Sequence, residues 1–122
     1  MNRKQILEEF LNNVIRFSNK KYQERIWVKA EGPECNNIDD AVGDFFDDGD
    51  PILEKYKDFG ITDSQLEILM KLRKKLREFE ATYDVYYSNK STNRLIKMPQ
   101  WEKIRDLANE VLKAFNYQKT LN

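Results

Sequence analysis

The sequence predicts an all-α, single-domain bundle of about five helices over residues 1–122. Three observations predict it. Apolar residues recur at three- and four-residue steps in several separate stretches, the spacing of one helix face. Capping and stop signals stand where those stretches begin and end. The 122 residues, 40% apolar, 34% charged and 12% aromatic, suit one folded core and argue against disorder.

The first helix is expected over roughly 3–20. Ile6, Leu7, Phe10, Leu11, Val14 and Phe17 mark its buried face. Lys20–Glu34 follows, with one short extended segment or strand expected near 25–28, at Arg25-Ile26-Trp27-Val28. Gly32-Pro33 interrupts any regular element there. The next helix opens at Asn37, a good N-cap, with Asp39 and Asp40 in the first turn where the helix dipole favours anions. Asp50-Pro51 reads as a second N-cap with proline at the first helical position. It predicts a separate short helix ending before Gly60.

Thr62-Asp63-Ser64-Gln65 is a capping box, with Ile61 and Leu66 placed as its hydrophobic staple. The long helix it opens carries Leu66, Leu69, Met70, Leu72, Leu76, Phe79 and Tyr83 to about Tyr86. Ser88–Lys97 reads as a polar, basic loop. Pro99 starts the last helix, whose face is Trp101, Ile104, Ala108, Val111, Leu112 and Phe115.

One stretch stands out from this regular pattern. Ile38–Pro51, IDDAVGDFFDDGDP, holds six aspartates in fourteen residues and no base. On a helical wheel Ile38, Ala41, Val42, Phe45 and Phe46 share one face, and Asp39, Asp40, Asp44, Asp47 and Asp48 the other. The phenylalanines are expected in the core. Between Lys29 and Lys55 the chain has nine acids and no base, so the remainder holds twelve acids and twenty-one bases. The zero net charge therefore hides a dipole. Like charges four apart on a helix repel, and aspartate is a poor interior helix former. Local stability does not explain the choice. The stripe is either a solvated face or a surface that meets something positive.

Several chemistries are disfavoured. With no histidine, the commonest general base and transition-metal ligand are both missing. No Gly-rich phosphate loop, nucleophile elbow or metal-ligand spacing occurs. An EF-hand register fails: with Asp44 at loop position 1 and Gly49 at position 6, position 3 is Phe46 and position 12 is Lys55. The expectation is a non-enzyme with no cofactor and no metal. Cys35 is the lone cysteine, and its acidic neighbours raise a thiol pKa rather than lower it. No disulfide, no secretory leader in MNRKQILEEF and no membrane-length apolar run together suggest a cytoplasmic protein, and a monomer is expected.

A nucleic-acid reading rests on Lys71, Arg73, Lys74, Lys75 and Arg77 in one helix, with Lys90, Arg94 and Lys97 beyond. Against it, Glu67 and Glu78 stand ready to pair with that helix, and the sequence pI is about 6.3.

The segment from Arg25 to Phe79 resembles a family of small bacterial immunity proteins from contact-dependent growth inhibition systems. The likeness lies in Trp27-Val28, Gly32-Pro33-Glu34, Asp44–Asp48 and Gly60–Leu66, the last opening a helix of the form L-x-x-L-R-x-x-L-x-x-F. The resemblance implies a cytoplasmic inhibitor that binds the C-terminal toxin domain of a secreted effector, often a nuclease. The residues expected to contact such a basic partner are Asp39, Asp40, Asp44, Asp47, Asp48 and Asp50, with Glu31 and Glu34 at the rim.

Overall fold

A computed structural model of the chain describes residues 1–32, 36–83 and 89–117. The fold is all-α, with no strand among the described residues. Helix α1 (Arg3–Ser18) is central and packs against α3 (Ile38–Glu54) and α6 (Pro99–Ala114). α6 also packs along α4 (Asp63–Thr82).

Helix α1 begins with a reciprocal capping box. The Asn2 side chain accepts from the Gln5 amide at 2.9 Å, and Gln5 accepts from the Asn2 amide at 3.0 Å. Phe10, Leu11, Val14, Ile15 and Phe17 are buried. So is Asn13, whose Nδ2 donates to the Ala41 carbonyl at 3.0 Å and pins α1 to α3. Closer approach depends on Gly49, since a Cβ there would lie 2.7 Å from Phe10 Cε1.

The segment expected to be extended is helical. A short turn, α2 (Lys20–Tyr22), widens into a π-helix over Gln23–Val28. The β-branched residues Ile26 and Val28 suggested a strand, but a short apolar run has no periodicity of its own. Tertiary demand decides it, because the wide turn sends Tyr22, Gln23, Ile26 and Trp27 inward together. Gln23 is fully buried and satisfied. Its Nε2 donates to the Arg16 and Phe17 carbonyls at the end of α1, at 2.9 and 2.8 Å. Its Oε1 accepts from Trp101 Nε1 at 3.0 Å and Arg105 at 2.9 Å.

Helix α3 corrects a second expectation. It does not restart at Asp50-Pro51 but runs through Pro51 to Glu54. Pro51 is exposed, and the carbonyl it cannot serve belongs to exposed Asp47. A single-turn 3₁₀ helix over Tyr56–Phe59 then leads to Gly60, whose φ of 72° takes the left-handed turn into α4. The Thr62–Gln65 capping box forms as expected, at 2.8 and 3.1 Å. Helix α4 ends at Thr82. The expected extension to Tyr86 falls partly outside the described residues.

The basic stretch expected as a loop instead contains α5 (Asn89–Leu95). Thr92, Leu95 and Ile96, at i, i+3 and i+4, are buried, and three inward residues suffice to fold a polar segment onto the π-helical turn. Pro99 starts α6 as expected, and Trp101, Ile104, Ala108, Val111 and Leu112 are buried. Aromatic rings join the helices at the centre. Phe17 lies 6.1 Å from Trp27, 6.0 Å from Phe45 and 5.9 Å from Trp101, centroid to centroid.

Candidate partner-binding face

Helix α3 is two-sided. Ile38, Ala41, Val42, Phe45, Phe46 and Ile52 are buried, as the wheel predicts for the first five. The Asn37 side chain caps the helix, accepting from the Asp40 amide at 2.7 Å. That cap fixes the register, and the register turns Asp40, Asp44, Asp47 and Asp48 to solvent. Among the described residues, none of these four makes an ion pair. Asp39 is half-buried and Glu31 is exposed just before the helix. Glu34 and Cys35 lie outside the described residues.

Asp50 stands apart from the others. Arg73 of α4 grips it with two donors, Nε to Oδ1 at 2.8 Å and the terminal nitrogen to Oδ2 at 3.2 Å. Those hydrogen bonds are the main reason its carboxyl lies below the usual carboxylate range. Asp50 was expected to face a partner protein, but here it anchors α3 to α4. Phe46 is held from the same side. It is 8% exposed, with the Arg77 guanidinium 3.8 Å and the Arg73 guanidinium 5.4 Å from its ring centroid.

Asp48 shows the opposite electrostatics. Although Asp48 reaches solvent, partial desolvation raises its carboxyl pKa first, and repulsion from Asp44, Asp47 and Glu9 adds to the shift. Glu9 belongs to α1, so the acidic face spans two helices. Sequence reading missed it because Glu9 lies almost forty positions from Asp48 in the chain. The α1–α3 packing brings them together, and the surplus of acids in Leu7–Phe10 was the only local signal.

The cations of α4 are largely engaged. Lys71 pairs with Glu67 at 3.9 Å, Lys75 with Glu78 at 3.4 Å and Arg77 with Glu80 at 3.2 Å. Lys74 makes no ion pair among the described residues. Only at Asp50 do these ion pairs tie the basic helix to the acidic stripe.

No known protein family, curated protein or solved structure matches this chain. Among the described residues, no group of three or more acids or cysteines could hold a metal ion, and no helix is long and apolar enough to cross a membrane. What the α3 face offers is a fixed array of carboxylates. Such an array attracts a cationic surface, orients it and speeds its arrival.

Proposed function

We propose that this chain is an immunity-type inhibitor that neutralises a toxin domain with a basic surface. The observation that carries the reading is the α3 face itself. Asp40, Asp44, Asp47 and Asp48 are exposed and unpaired on one helix whose inner face is rigidly buried. Their mutual repulsion disfavours the free protein and is relieved when a cationic partner docks.

A nuclease is the toxin class that fits. Its active site must be basic to hold phosphate, and an acidic helix can cover that cleft. Charge complementarity also gives the fast association that an inhibitor of a lethal enzyme needs. The resemblance of residues 25–79 to immunity proteins of contact-dependent growth inhibition points the same way.

The alternative, a nucleic-acid-binding or regulatory module using the basic helix 71–77, has less support. Four of its five cations already meet carboxylates of the same molecule. The two readings separate in one experiment. The chain is titrated against the C-terminal toxin domain of a secreted effector encoded beside it, and cells producing that domain are scored for protection. The immunity reading expects tight binding, protection, and loss of both when Asp44, Asp47 and Asp48 become lysine. Full protection by that triple variant would remove α3 as the interface.

A further inference from the structure

We draw no further inference here: the strongest candidate, the polar groove between the end of α1 and the last turns of α6 where Asn19, Asn109, Lys113 and Asn116 surround Ile15 and Leu112, carries nothing, because Asn19 and Asn109 already bond the backbone where α1 meets α2 and nothing in the structure shows what covers it.

Discussion

The Arg77 guanidinium lies 3.8 Å from the centre of the Phe46 ring. An aromatic side chain at the edge of the core is thus roofed by a cation from the neighbouring helix. Arg73, one turn earlier, binds Asp50 on the same side. α1 carries the inner face of α3, and these two arginines make the main side-chain link from α4 to its outer edge.

Arg77→Ala should therefore lower stability by about 1 kcal/mol through the uncovered ring. Arg77→Lys should recover little of that, because an ammonium does not stack flat on a ring. Urea unfolding midpoints measure both. Equal stability of all three proteins would show that the roof contributes nothing.

Asp50 and Asp48 should respond to pH in opposite senses. Hydrogen bonds from Arg73 lower the Asp50 pKa on folding, so its stabilisation is present above the ordinary carboxylate value of about 4 and lost as pH falls through the folded value. Partial desolvation, Asp44, Asp47 and Glu9 raise the pKa of the solvent-reaching Asp48, so its ionised form is penalised above the folded value and the penalty vanishes below the ordinary one. Asp48→Asn should stabilise the protein at neutral pH but not near pH 3, and Asp50→Asn should destabilise it at neutral pH. Thermal melts across pH decide the signs.

Asp44→Lys should separate stability from function. Asp44 is four residues from both Asp40 and Asp48, so the lysine turns two repulsions into two attractions. The gain should be about 0.3–1 kcal/mol, and association with a basic toxin domain should slow, most of all at low salt. A variant that is both more stable and equally fast to bind would make the stripe a solvated face and nothing more.

Two glycines of α3 should give opposite results. Gly43→Ala meets no neighbour, so alanine's helix propensity should stabilise by about 0.5–1 kcal/mol. At Gly49 the same gain is outweighed, because the new Cβ would sit 2.7 Å from the Phe10 ring and overpacking costs about 1–3 kcal/mol. Phe45→Ala, which removes a fully buried ring, should cost about 3–5 kcal/mol. Denaturant unfolding of the three variants checks the order.

Much of this molecule was legible in the chain because the signals are local. The faces of α1, α4 and α6 follow from three- and four-residue spacing, except that Met70, read onto the α4 face, is exposed, and the capping box at Thr62–Gln65 and the N-cap at Asn37 follow from which side chains can reach the first amides of a helix. The split of α3 into buried phenylalanines and exposed aspartates follows from the same wheel. The misread elements are those whose local signals are weak or misleading. Ile26-Trp27-Val28 looked like a strand, yet it turns as a π-helix around Gln23, whose hydrogen-bond partners reach as far as Trp101 and Arg105. Ser88–Lys97 looked polar, yet α5 (Asn89–Leu95) forms within it because Thr92, Leu95 and Ile96 find a surface to cover.

The acidic site divides along the same line. Its composition and its helical face were written in residues 38–51, since side-chain direction on a helix needs no distant partner. Which acids stay open was not. Arg73, 23 positions away, takes Asp50 out of the array, and Glu9 joins it from α1. Pairing across helices depends on how those helices pack, and packing is a property of the assembled core rather than of any one segment.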